Sequence, residues 1–283
     1  MQAAALGMVA KRLRARTGLD VAPVLVVEGP TDEDLFGGLC EYGSAQVFAA
    51  GPRDLVEQLL VLVEAAPVSD CECVFLTDCD ARGKNPALAG AAQLVVTETC
   101  DMEADLVKLG VAYRVARRYV VSDEAAVALV EEAIARGTTI SIVRRAAHSC
   151  SVSMKRDGRQ LRLHELADVD GESWIDQTES ADSVCAAVAG ALGWGPDVEG
   201  RVHAAMAQIS TEFGATVMGK DVLDALYLLL KVSGQGDVRG WHCDHFHRQV
   251  RAEVSHSECD GWEVARRLRS WEAATGHGLL AGA

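Results

Sequence analysis

Three short stretches of this sequence run from apolar residues straight into acids. Val24–Val27 leads to Glu28 and Gly29, with Asp32, Glu33 and Asp34 close behind. Cys73–Thr77 (CVFLT) leads to Asp78 and Asp80, and Leu94–Thr97 (LVVT) leads to Glu98, Asp101 and Glu103. Carboxylates gathered within a few ångströms repel one another and are driven toward protonation. A divalent cation removes that conflict. Mg²⁺ accepts a few carboxylates while keeping water in its other positions. One or two such ions can orient a phosphodiester, activate water and stabilise a leaving oxygen. Each group also has a plainer reading. Asp32–Asp34 suits a solvated first helical turn, Asp78-x-Asp80 suits a turn, and Asp101 suits a helix N-cap. Repetition at three separate strand ends favours the metal reading, because an apolar core gives no reason for it.

Such a cluster needs elements that bring the strand ends together. Val24–Val27, Cys73–Thr77 and Leu94–Thr97 read as short buried strands, and Ala45–Ala49 as a weaker one. Asp32–Cys40 reads as a helix. Arg53–Ala66 repeats Leu55, Leu59, Leu60 and Val63 at helical spacing, and a further helix begins near Met102. Strands alternating with amphipathic helices predict an α/β fold, a parallel sheet with helices on both faces. Ligands of such sheets gather at the carboxyl ends of the strands.

The chain of 283 residues, 49% hydrophobic and 24% charged, is globular in composition. A net charge of −14 argues against broad affinity for nucleic acid, though not against a local site. No apolar run approaches the roughly 20 residues of a membrane span. The opening MQAAALGMVAKRLRAR places its basic residues after its apolar ones, the reverse of a secretory signal, and reads as a helix. Nine irregularly placed cysteines, Cys73 and Cys185 among apolar neighbours, form no disulfide framework. A cytoplasmic protein without a membrane partner is expected.

The order VVEGPTDEDLF, then VFLTDCDARG, resembles the TOPRIM domain of topoisomerases, primases and OLD-type nucleases. With VVTETCDMEADLV the chain looks like the small OLD-like TOPRIM proteins of bacterial phage defence, the nuclease partner of an ABC-type ATPase in PARIS-like systems. MGKDVLDALYLLL resembles the later Gly-[His/Lys]-Asp helix start of those proteins. The resemblance covers residues 20–110, with support from 218–230. It implies a Rossmann-like TOPRIM core over 20–120 and a nuclease using Mg²⁺ or Mn²⁺, with two ions. Glu28 would be general base or metal ligand, and Asp78 and Asp80 metal ligands. Asp32, Asp101 and Glu103 would complete the metal set. Lys220 would stabilise charge on the phosphate, with Asp221 beside it as a weaker element of the motif. The partners implied are a nucleic acid (RNA such as tRNA, or DNA) and the ABC-type ATPase, with a homodimer as a further assembly. Two rivals stand beside this reading. A haloacid-dehalogenase-like phosphohydrolase also carries Asp-x-Asp after a strand, but that pair lies on an N-terminal strand and here Ala81 and Arg82 follow. The other rival is a catalytically silent TOPRIM subunit that binds or senses.

Residues 121–283 read as a mostly helical elaboration. Helices are expected over Ser122–Arg136, Ala181–Leu192, Val198–Phe213 and Asp221–Val232. Arg144, Arg145, Lys155, Arg156, Arg159 and Arg162 face the single acid Asp157 over residues 138–163, with a hairpin turning at Asp157-Gly158. This is a solvated edge, or a basic wall for nucleic acid or an acidic partner. His242, Cys243, His245, His247, His256 and Cys259 crowd residues 241–260. Their spacing fits none of the common zinc-finger patterns. The expectation is a helix with His245, Gln249 and Ala252 on one side, and no structural zinc.

Overall fold

The computed structural model describes residues 2–17, 22–40, 45–65, 72–80, 85–88, 90–166, 174, 177–211, 214, 216–233 and 237–281. The chain forms two compact units, residues 1–98 with 254–283, and residues 99–253.

The first unit is built on a parallel sheet. After helix α1 (Gln2–Thr17), the chain runs through β1 (Val24–Val27), α2 (Pro30–Leu39), β2 (Gln46–Ala49), α3 (Arg53–Ala65), β3 (Cys73–Thr77) and β4 (Leu94–Val96). The strand order is β2-β1-β3-β4. Every pairing is parallel, with Val26 opposite Phe48 on one side and Phe75 on the other. β1 and β3 are buried along their whole length, as continuous apolar strands covered on both faces must be. Helix α1 packs on α3, α3 on β3, and the C-terminal helix Glu263–Thr275 on β4. Leu13, Val24, Phe48, Leu59, Leu60 and Phe75 form the core between them. Phe36 stacks on Trp262 at 5.6 Å, tying α2 to the returning C-terminal segment. The four strands stand within one residue of their expected bounds, and α2 opens two residues early, at Pro30. The order matters for chemistry. β1 connects onward to β2 on one side while β3 lies on its other side, and parallel sheets bind their ligands beside such a reversal.

The second unit is helical. It comprises α4 (Met102–Lys108), α5 (Val111–Arg117), α6 (Asp123–Ser149), the hairpin β5 (Lys155–Arg156) and β6 (Arg159–Gln160), α7 (Leu163–Leu166), α8 (Ala181–Leu192), α9 (Pro196–Met206), α10 (Gly219–Val232) and α11 (Cys243–Ala252). Helix α6 runs thirteen residues past the expected Arg136, to Ser149. Its continuation, GTTISIVRRAAHS, contains Gly and β-branched residues that weaken helix propensity, and packing against α10 overrides that weakness. Gly137 permits the approach, since a Cβ there would lie 2.7 Å from the Val222 side chain. Gly219 has an even closer neighbour, with a virtual Cβ 1.9 Å from the Ala104 amide nitrogen. Helix α9 ends at Met206 rather than continuing to Phe213, which lies outside the described residues. The hairpin turns through Asp157 and Gly158, both at positive φ, as a two-residue turn of this kind requires. Among the described residues no helix is long and apolar enough to cross a membrane.

Candidate metal centre

Glu28 leaves the end of β1 and is held from two directions. Its Oε1 accepts the Asp78 amide N–H at the tip of β3, at 2.8 Å. Its Oε2 accepts the Arg53 amide N–H in the first turn of α3, at 3.1 Å. The turn before α3 passes through Gly51 at φ +127°, a conformation that a side chain at this position would strain.

Arg53 organises the same tip. Its side chain is 3% exposed, and Nη1 donates to the Asp78 carbonyl (3.1 Å), the Cys79 carbonyl (2.7 Å) and Asp80 Oδ1 (3.3 Å). Its Nε donates to Glu57 at 2.6 Å. Asp80 adopts φ +42°, so the tip bends sharply at the second acid of the pair. Asp32 reaches back to accept the Gly29 N–H at 3.0 Å, capping its own helix. Sequence reasoning placed Arg53 in an amphipathic helix and missed this role. The one signal is an arginine at the start of a helix whose other inward positions are apolar.

The other residues expected from the sequence to bind metal or phosphate belong to the second unit. Asp101 is the N-cap of α4, with Oδ1 accepting the Ala104 N–H at 2.8 Å. The same oxygen accepts the Gly219 N–H at 2.8 Å, so one carboxylate caps one helix and receives the first turn of another. Glu103 is 1% exposed. Its Oε1 accepts from Arg251 Nη1 at 3.1 Å, and its Oε2 stands 3.6 Å from Lys220 Nζ. Asp101 Oδ2 and Glu103 Oε2 are both buried with no hydrogen-bond partner among the described residues. Burial, and then the neighbouring Glu103 charge, push the Asp101 carboxyl up to about 7, against Lys220 and the two amides. Burial works the same way on Glu103, but Lys220, His247 and Arg251 outweigh it and hold that carboxyl low.

Glu28, Asp32, Asp78 and Asp80 therefore belong to the first unit, and Asp101, Glu103 and Lys220 to the second. Within neither unit do three of these acids, as described, bring carboxylate oxygens within 4.8 Å of one another. The donor chemistry nevertheless fits a hard divalent cation. All the candidate donors are carboxylate oxygens, the kind Mg²⁺ and Mn²⁺ prefer, and two of them, Asp101 Oδ2 and Glu103 Oε2, are buried without a hydrogen bond, the second facing Lys220 at 3.6 Å. Ala81 and Arg82, which bear on the haloacid-dehalogenase alternative, lie outside the described residues.

The basic stretch divides by burial. Arg144 is buried and forks onto Asp221, with Nε and Nη2 each within 2.8 Å of an oxygen, and Ser141 Oγ adds a bond at 3.2 Å. Asp221 is thereby a packing anchor for α6 on α10. Arg145 Nε donates to the Thr216 carbonyl at 3.1 Å. Arg162 forks onto the fully buried Asp224 and reaches Asp244 at 2.8 Å. Lys155, Arg156 and Arg159 stay exposed, so the expected basic wall reduces to the hairpin.

The histidine- and cysteine-rich stretch also divides. His256 and Cys259 fall in the first unit, while His242, Cys243, His245 and His247 fall in the second. The inward face of α11 is Cys243, Phe246, His247, Val250 and Arg251, whereas His245 packs edge-on against Trp241 at 4.6 Å. The helical period aims Cys243 and His247 at Asp224, and Arg251 at Glu103. Around Asp224, Cys243 Sγ stands 3.2 Å from Oδ1, His247 Nε2 2.9 Å from Oδ1, and His164 Nδ1 3.1 Å from Oδ2. Burial alone would raise the Asp224 carboxyl. Hydrogen bonds from His164 and His247, with the charges of His247 and Arg162, hold it well below the usual carboxylate range. Burial and then Asp224 push the Cys243 thiol up. His164 and Asp224 escaped sequence reasoning because they lie far from residues 241–260 and no spacing connects them.

The fold and site define a class: an α/β chain with acids at the switch point of a parallel sheet and a second, helical unit. No protein-family model matches the sequence, and no curated protein does.

Proposed function

We propose that the chain is a TOPRIM nuclease, hydrolysing phosphodiester bonds with Mg²⁺ or Mn²⁺. In this reading it is the effector of a phage-defence system, held inactive by an ABC-type ATPase partner. The observation that carries the proposal is the Glu28 carboxylate at the tip of β1, bonded at 2.8 Å to the Asp78 amide at the tip of β3. The two strands are neighbours at the reversal of the sheet order, where ligands of parallel sheets bind.

In the first unit Glu28, Asp78 and Asp80 would hold the cation; in the second, Asp101 and Glu103 are the acids suited to one. A bound ion supplies Lewis acidity and a water of lowered pKa. The chain's own residues do the rest. Glu28, fixed at both oxygens, accepts the proton of the attacking water with little reorganisation. Arg53 holds the Asp78–Asp80 turn rigid by binding its carbonyls. Lys220 Nζ, whose side chain is 42% exposed, offers positive charge to a phosphate oxygen.

A second reading, a silent TOPRIM subunit that senses or recruits, is favoured by one observation. The Arg53 guanidinium already neutralises Asp80 and crowds the β3 tip.

Cleavage of plasmid DNA and of total cellular RNA, with Mn²⁺ and with or without the ATPase, separates the two. Cutting that disappears in Glu28→Gln supports the nuclease and names its substrate class. Metal binding with every nucleic acid left uncut, the partner included, removes the nuclease in favour of the silent subunit.

A further inference from the structure

We propose that His164, Asp224, Cys243 and His247 form a zinc site in the helical unit, separate in residues and chemistry from the strand-tip acids. It stands whether or not the chain is a nuclease.

The donor set points to the metal. Two imidazoles, one thiol and one carboxylate mix nitrogen, sulfur and oxygen, which selects zinc over Mg²⁺ or Ca²⁺. His164, Asp224 and Cys243 each offer a ligand atom within 4.8 Å of the others, the one such group of three among the described residues. His247 Nε2 touches Asp224 at 2.9 Å but stands outside that group of three, and it supplies the fourth ligand by turning in toward the others. Bond lengths of about 2.0–2.3 Å in a tetrahedral zinc site put ligand atoms roughly 3.3–3.8 Å apart. The contacts to Asp224, 2.9–3.2 Å, need small outward shifts to meet that, and His247 must also close on the rest of the group.

The local structure pre-sets these directions. Cys243 and His247 stand at i and i+4 on α11, one above the other on its buried face. Asp224 projects from the middle of α10, and His164 from the short helix α7 that follows the hairpin. Three segments distant in sequence thus converge on one point, and zinc would crosslink them. Fixing α11 there also sets the turn that carries Arg251 to Glu103.

The metal-free network leaves a conflict that zinc resolves. His247 Nε2 lies 2.9 Å from Asp224 Oδ1 and 2.9 Å from Arg162 Nη2. One ring nitrogen either donates to the carboxylate or accepts from the guanidinium, not both. Arg162 Nη2 stands among these donors, bonded to Asp224 Oδ1, 2.9 Å from His247 Nε2 and 3.9 Å from Cys243 Sγ, so zinc must displace it; its side chain is 28% exposed and already pairs with Asp244. It can turn toward Asp244 and keep one bond to the carboxylate oxygen that zinc does not take. Two anionic ligands, Asp224 and the Cys243 thiolate, would balance Zn²⁺. The thiol proton leaves to solvent when the Cys243 sulfur binds.

The test is metal analysis and Co²⁺ titration of the purified full chain after chelator stripping. The expected result is one zinc per chain, and a Co²⁺ complex with a thiolate charge-transfer band and the strong visible bands of tetrahedral geometry. Cys243→Ser abolishes the charge-transfer band, while Cys185→Ser and Glu28→Gln leave it intact. His164→Ala, at a partly exposed position that tolerates truncation, weakens zinc affinity by about 100-fold or more. Substoichiometric metal in the wild type, a thiolate band that survives Cys243→Ser, unchanged affinity in His164→Ala, or loss of zinc in Glu28→Gln would each overturn the proposal.

Discussion

Replacing Asp101 by Asn should stabilise the metal-free protein, although Asp101 is a helix cap buried to 2% exposure. Asn keeps an Oδ1 acceptor for the Ala104 and Gly219 amides, and Asn is as good an N-cap as Asp. It replaces the unpartnered Oδ2 with an N–H donor and removes a charge beside Glu103. The magnitude follows from the carboxyl's displacement from 3.8 to about 7. At about 1.4 kcal/mol per pH unit, the ionised group costs the fold about 4 kcal/mol. The sign is that of an acid whose folded value is raised. The folded state keeps the proton longer, so stability is lost as pH rises from 3.8 to about 7 and is fully lost above it. The assay is urea unfolding of wild type and Asp101→Asn in EDTA at pH 5 and pH 8. The variant's advantage should grow by about 3 kcal/mol between those pH values, equivalent to about 6–12 °C in Tm. A variant no more stable than wild type at pH 8, or an advantage independent of pH, would refute the reasoning.

Three further outcomes are expected. Gly219→Ala forces a methyl group onto the Ala104 backbone, where no flexible side chain can yield; it should cost at least about 3 kcal/mol in denaturant unfolding. Arg144→Ala strands the buried Asp221 with Ser141 as its remaining side-chain donor and should cost about 3–5 kcal/mol. Pairing it with Asp221→Asn should restore part of that loss in a double-mutant cycle. Reversing Lys155, Arg156 and Arg159 to Glu together should leave the melting temperature nearly unchanged, because all three are exposed. If the hairpin contacts a nucleic-acid backbone, the same change weakens binding and flattens its salt dependence by roughly two to three units of slope.

Much of the first unit was legible in the sequence because its signals are local. VLVV and CVFLT are apolar in every position, and only a strand covered on both faces accommodates that. The spacing of Leu55, Leu59 and Leu60 is a helical period, and in the second unit Ser122 caps its helix as its type predicts. That acids end the strands was equally plain. Helix ends were read less well: α6 outran its expected limit because the Gly137–Val222 contact, invisible in local propensity, stabilises it.

Residue types and their period along the backbone were thus determined by the sequence itself, since alternation and helical spacing are set by bonds between near neighbours. The fate of each charge was decided only by tertiary structure. Asp101 reads as a cap, but its second amide comes from Gly219, 118 residues on. Arg144 and Arg162 read as members of a basic surface until Asp221 and Asp224 claim them. Cys243 and His247 show no local pattern because the groups they meet, Asp224 and His164 around it, come from α10 and α7. A buried charge costs several kcal/mol unless it is paired, and its partner is whatever residue the packed chain delivers to that point.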